Sequence, residues 1–216
     1  MRRDLLKSGL AMAVGSTLSG FGLNACAQDN GPQEGKHYRR VTPTVAVAIP
    51  GKIEVVEFFW YGCPHCFSLE PAMQDWVKKL PADVVFRKEH VAFPQAIKHQ
   101  QMFYTLRALG AELTTTTKIF EAIHKERKLL LTAADQADFA ESLGIDKKKY
   151  TETLSSFTVQ TILKKSSNLS DAYKVDSVPV LTINGKYYTG PAMAGNNGAA
   201  LEVADILIKK ERSLKS

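Results

Sequence analysis

The residues of this chain best suited to chemistry are Cys63 and Cys66, which flank Pro64 and His65. A disulfide across so short a ring removes little loop entropy from the unfolded chain, so it adds little stability, and the pair points to chemistry instead. That chemistry is thiol–disulfide exchange or half of a zinc site. The whole sequence holds only three cysteines, which rules out four-cysteine ligation. The five histidines, His37, His65, His90, His99 and His124, form no short His-x-His pairing at ligand spacing. The expectation is therefore redox chemistry with no metal.

The flanking sequence supplies the elements that such chemistry needs. Residues Ile53 to Trp60 (IEVVEFFW) are β-branched and aromatic with almost no alternation, as in a strand buried on both faces. From Pro64 to Lys79 the apolar residues Phe67, Leu69, Met73, Trp76 and Val77 recur near helical spacing, and Pro64 suits a first turn. The cysteines thus open a helix, whose N-terminus offers unpaired N–H groups and a positive dipole end to a thiolate at Cys63. Cys63 is the expected nucleophile, and Cys66, one turn in, the shielded partner. Pro71 falls inside the pattern and is expected to kink the helix. Val84 to Val91 reads as a second strand.

Five helical segments follow without a convincing strand: Ala96 to Leu109, Thr117 to Lys128, Ala133 to Leu143, Lys147 to Leu154 and Val159 to Tyr173. Val180 to Ile183, the Asn184-Gly185 turn and Lys186 to Thr189 then read as a hairpin, and Ala199 to Arg212 as a last helix. Glu57 interrupts the first strand six residues before Cys63. A carboxylate there is costly to bury unless paired or protonated, which makes it a candidate for moving protons near Cys66, with Lys88 of the neighbouring strand as its partner. The alternative is a strand-end residue that reaches solvent.

The run Glu57-Phe58-Phe59-Trp60-Tyr61-Gly62-Cys63-Pro64-His65-Cys66, followed by Val178-Pro179 and by Asn184-Gly185-Lys186-Tyr187, resembles the DsbA-type periplasmic thiol:disulfide oxidoreductases. The likeness extends from about Lys36 to Arg212. It implies an α/β thioredoxin-like fold with a helical domain inserted between the N-terminal β-α-β unit and the C-terminal β-hairpin. The corresponding division is 37–94 and 175–216 for the thioredoxin-like domain and 95–174 for the insert.

The resemblance also implies a function: donation of a Cys63-Cys66 disulfide to reduced exported proteins, with no other cofactor. Reoxidation would come from a DsbB-like membrane partner that passes electrons to quinone. It implies a cis bond at Pro179, so that Val178 and Pro179 form a peptide-binding edge beside the cysteines, and it matches Glu70 to a family acid near the active helix. In such proteins Pro64 and His65 set the redox direction, since a stabilised Cys63 thiolate makes the disulfide an oxidant. A helix dipole contributes at most about 2 kcal/mol, so a strongly acidified Cys63 also needs local N–H bonds and His65. The rivals are a disulfide isomerase or reductase on the same fold and a non-catalytic metal- or peptide-binding thioredoxin-like module. A monomer is expected, and no N-terminal dimerisation domain is read before the catalytic region, which counts against the isomerase or reductase.

Residues 1–27 read as an export signal: Arg2, Arg3 and Lys7, then a weakly apolar stretch from Leu10 to Leu23, then small residues. The stretch is too short and too rich in glycine for a stable membrane span. Arg2-Arg3-Asp4-Leu5-Leu6-Lys7 also resembles a twin-arginine signal, and the choice between that route and the general secretory one stays open. Ala25-Cys26-Ala27 fits a cleavage site that releases a soluble periplasmic protein, with lipid attachment at Cys26 as the alternative. Residues 28–36 read as a linker. The chain is 44% hydrophobic and 23% charged, which excludes disordered and multi-pass membrane classes. Its net charge of +6 is scattered rather than gathered, so no nucleic-acid partner is expected.

Overall fold

The computed structural model describes residues 31–214. The expected export signal, including Cys26, and the start of the expected linker lie outside them. The element order is β1 (Tyr38–Arg40), β2 (Ile53–Phe59), α1 (Pro64–Val77), β3 (Val84–His90), α2 (Ile97–Ala108), α3 (Glu112–His124), α4 (Ala133–Ser142), α5 (Lys147–Leu154), α6 (Phe157–Ala172), β4 (Val180–Ile183), β5 (Tyr187–Thr189), α7 (Pro191–Ala194) and α8 (Asn197–Ser213).

The five strands form one sheet in the order β1-β5-β4-β2-β3. The pair β2 and β3 is parallel, joined through α1, while β4 lies antiparallel on the other side of β2. Every residue of β2 is buried, as expected of a central strand, and this includes Glu54 and Glu57, which interrupt its apolar run. Alternation sends Val55 toward Leu69 and Met73 of α1, and Val56 and Phe58 toward Tyr173 and Val180 on the opposite face. Phe59 and Tyr61 continue into the helical insert, where they share a core with Phe103, Phe120 and Tyr150. The fold is thus thioredoxin-like, with helices α2 to α6 inserted between β3 and β4.

Several local features depart from the periodicity. Helix α3 begins at Glu112, five residues before the expected Thr117, although the intervening Thr114 to Thr117 run is β-branched. The Thr115 and Thr116 hydroxyls donate to the carbonyls of Ala111 and Glu112 at 2.8 and 2.7 Å, which satisfies them inside the helix. Helix α1 continues through Pro71 to Val77. Strand β1, only three residues long, carries too little pattern to read; it exists because β5 offers it an antiparallel edge. Glu34, in the stretch expected to be a linker, bridges to Tyr38 and pairs with Arg40 at 3.0 Å. The hairpin turns at Asn184 and Gly185, whose φ values of 51° and 69° suit a type I′ turn. A side chain at residue 185 would also collide with the Val45 carbonyl.

Candidate active site

Strand β2 ends at Phe59, and the three residues Trp60, Tyr61 and Gly62 carry the chain to Cys63, the N-cap of α1. The Cys63 N–H donates to the Trp60 carbonyl at 3.0 Å, closing the turn that sets the sulfur at the helix start. Both cysteines are free thiols, so the structure is that of the dithiol form. Cys63 is 7% exposed, Cys66 fully buried.

Their ionisation differs accordingly. The Cys63 thiol is lowered to about 6, chiefly because the Cys66 thiol donates a hydrogen bond to its sulfur. The backbone N–H groups of Cys66 and His65 and the charge of His65 add to this, against a burial cost. Burial pushes the Cys66 thiol far up, and the neighbouring Cys63 and Glu57 charges push it further. One sulfur is poised as an anion and the other is held protonated, which is the division of labour that exchange requires. The largest stabiliser of the Cys63 thiolate is thus Cys66 itself, ahead of the helix backbone and His65.

The loop before β4 completes the front of the site. The Val178-Pro179 bond is cis, and the Cys63 sulfur lies 3.5 Å from the Val178 carbonyl oxygen. Pro64 occupies the first helical position and His65 the next. His65, Val178, Pro179, Ser177 and the loop residues Asn196 and Asn197 line a groove of about 570 Å³. Gly190 has no room for a side chain, because a Cβ there would approach the Pro179 carbonyl to 2.7 Å.

Behind the cysteines lies a buried charged triad. Parallel pairing sets Glu57 of β2 opposite Lys88 of β3. The Lys88 ammonium donates to Glu57 at 2.5 Å and to Glu70 of α1 at 2.7 Å. All three are buried, so Glu57 does not reach solvent at a strand end. Burial pushes the Glu57 carboxyl above the ordinary range, while the two carboxylates outweigh the burial of Lys88 and hold its ammonium above the ordinary lysine value. The second Glu57 oxygen, Oε1, has no hydrogen-bond partner among the described residues. Among the described residues no group of histidines, cysteines and carboxylates could hold a metal ion, and no helix is long and apolar enough to cross a membrane.

The structure also brings in residues that sequence reasoning did not select. The Tyr61 N–H donates to His90 Nε2 at 3.2 Å, and the Trp60 indole donates to His99 Nδ1 at 3.0 Å. No spacing in the sequence marks these histidines, because each meets the turn from a distant element.

Comparison with known proteins agrees with this geometry. Residues 54–200 match the DSBA-like thioredoxin domain family. The chain is 44% identical over 214 residues to the thiol:disulfide interchange protein DsbA of Pseudomonas aeruginosa, covering 99% of this chain and 98% of that one. It is 42% identical to the protein of that name from Azotobacter vinelandii, over 94% and 98% of the two chains. The crystal structure of Pseudomonas aeruginosa DsbA superposes with a TM-score of 0.82 at 44% identity, covering 85% of this chain and 96% of that one. On the strength of the family match and of these relatives, the chain belongs to the DsbA family of thiol:disulfide interchange proteins.

Proposed function

We propose that the protein is a thiol oxidase that donates a Cys63-Cys66 disulfide to reduced exported proteins. The observation that carries this is the contrast between the two sulfurs: an acidified Cys63 at a helix start and a buried, protonated Cys66. A substrate thiolate attacks Cys63, the Cys63-Cys66 bond breaks, and Cys66 leaves as a thiolate that takes up a proton. A second substrate thiolate attacks the substrate's own sulfur in the mixed disulfide. Cys63 departs as a stable thiolate. The substrate loses two electrons and the enzyme ends as the dithiol, with no cofactor beyond its own sulfurs.

Val178 and Pro179 present the edge along which the substrate backbone lies, with His65 beside it. Glu57, close enough to Cys66 to act on it and raised by burial toward its protonated form, gives its proton to the leaving sulfur and becomes the carboxylate that Lys88 pairs, with Glu70 on the same ammonium. We divide the chain into a thioredoxin-like domain, 37–94 and 175–216, and a helical insert, 95–174. With 1–27 as an export signal and 28–36 as a linker, the working protein is periplasmic and monomeric, soluble after cleavage or anchored through Cys26. A DsbB-like membrane oxidase linked to quinone restores the disulfide.

The test is the equilibrium with glutathione together with the oxidation of a peptide carrying two thiols. An oxidase equilibrates with a large dithiol fraction and oxidises the peptide stoichiometrically. A strongly reducing equilibrium would assign the protein to the reductases of the same fold.

A further inference from the structure

One side chain of the helical insert touches the redox turn at both ends. His124, the last residue of α3, places Nε2 2.8 Å from the Tyr61 carbonyl oxygen. Its ring stacks on Phe67, with centroids 4.8 Å apart and planes 6° from parallel. Tyr61 precedes Cys63 by two residues and Phe67 follows Cys66, so a single imidazole spans the segment 61–67 that holds both sulfurs. A carbonyl can only accept, so Nε2 carries the hydrogen.

The two other histidines at this turn hold it differently. His90 Nδ1 donates to the Val91 carbonyl at 3.0 Å, which leaves Nε2 to accept from Tyr61 N–H. His99 Nε2 donates to the Leu129 carbonyl at 2.8 Å, which leaves Nδ1 to accept from the Trp60 indole. Both fasten only the strand side of the turn. His124 ties that side to the first turn of α1.

We propose that His124 is a positioning residue for the dithiol: its hydrogen bond to Tyr61 and its stack on Phe67 hold the strand end and the helix start at the spacing at which Cys66 donates to the Cys63 sulfur. Disulfide formation draws the sulfurs to about 2.05 Å, closer than a hydrogen-bonded pair of sulfurs lies. A clamp matched to the dithiol favours it over the disulfide, so the disulfide becomes the stronger oxidant. This rests on the exchange function proposed above.

The test compares full-length wild type with His124→Ala, His124→Phe and His124→Gln. The readouts are the dithiol–disulfide equilibrium with glutathione, Cys63 ionisation by the ultraviolet absorbance of the thiolate, and the melting temperature. His124→Ala should move the equilibrium toward the disulfide by about threefold, the worth of one modest hydrogen bond, and raise the pH at which Cys63 ionises. His124→Phe, which keeps a ring without the donor, should shift it less. His124→Gln, which restores an N–H donor, should recover part of the change. A wild-type equilibrium and Cys63 ionisation in the Ala and Phe variants, even with a lowered melting temperature, overturns the proposal. If the Ala variant does not fold, the Phe variant decides by the same criteria. Wild type that fails to oxidise the dithiol peptide overturns the oxidase function instead, whatever the variants do.

Discussion

The sulfur of Cys63 lies 3.5 Å from the carbonyl oxygen of Val178, a residue 115 positions away in the chain. The contact joins the nucleophile of one strand-helix junction to the loop that enters β4. On the function proposed above, a peptide lying along Val178 and Pro179 would meet the sulfur there.

The two cysteines should fail in different ways when removed. Cys63→Ala, which lacks the acidified sulfur at the helix start, should abolish oxidation of a reduced dithiol peptide in a thiol-loss assay. Cys66→Ala should leave Cys63 able to exchange but unable to form the internal bond, so mixed disulfides should accumulate on non-reducing gels after incubation with oxidised substrates.

The depressed Cys63 ionisation makes the dithiol's stability depend on pH. With a folded value of about 6 against an ordinary 9.0, the unfolded chain binds more protons between these limits, so stability rises with pH across that window. It is full above the upper limit and lost as pH falls through the lower. Cys66, shifted upward by burial, acts in the opposite sense once the pH passes the ordinary 9.0. Thermal melts of the reduced protein against reduced Cys63→Ser should therefore diverge from pH 6 to pH 9, with wild type gaining. A constant difference would contradict the assignment.

Removing the central cation of the triad should be costly. Lys88→Met leaves Glu57 and Glu70 buried against each other, and breaking a buried ion pair in this way costs about 3 to 5 kcal/mol. Urea unfolding of the dithiol should show the loss.

Glu57→Gln keeps the shape of the side chain but removes the acid. Formation of the mixed disulfide should slow in stopped-flow mixing with a thiol, because Cys66 must then leave without its proton donor. The effect should shrink in a Cys66→Ala background carrying a disulfide between Cys63 and a small thiol, where Cys66 is not the leaving group.

Gly62 has no spare space. A Cβ there would lie 2.5 Å from the Trp60 ring, which itself donates to His99. Gly62→Ala should displace the indole, lower the melting temperature by overpacking worth about 1 to 3 kcal/mol, and alter the tryptophan emission.

Much of this was open to inspection in the amino-acid order alone. The buried strand, the cysteines at a helix start, the helical run and the Asn184-Gly185 hairpin are local, each written in consecutive residues by periodicity or turn chemistry. Glu57 stood out for the same reason: a carboxylate in an apolar strand needs a partner. The start of α3 was hidden because four threonines suggest strand, and their hydroxyls become harmless only once the helix carbonyls are there to accept them.

What folding alone settled is which distant groups meet. Lys88 was legible as a partner for Glu57, but that it also reaches Glu70 depends on the register of β3 against β2 beneath α1, which no spacing along the chain encodes. Val178 reaches Cys63, and His90, His99 and His124 reach the turn before it, for the same cause. Periodicity reports which face of an element is apolar, whereas long-range packing chooses which polar groups share the interior. The acidity of Cys63 is the clearest case, since it depends most on a hydrogen bond from Cys66 that exists only in the folded turn.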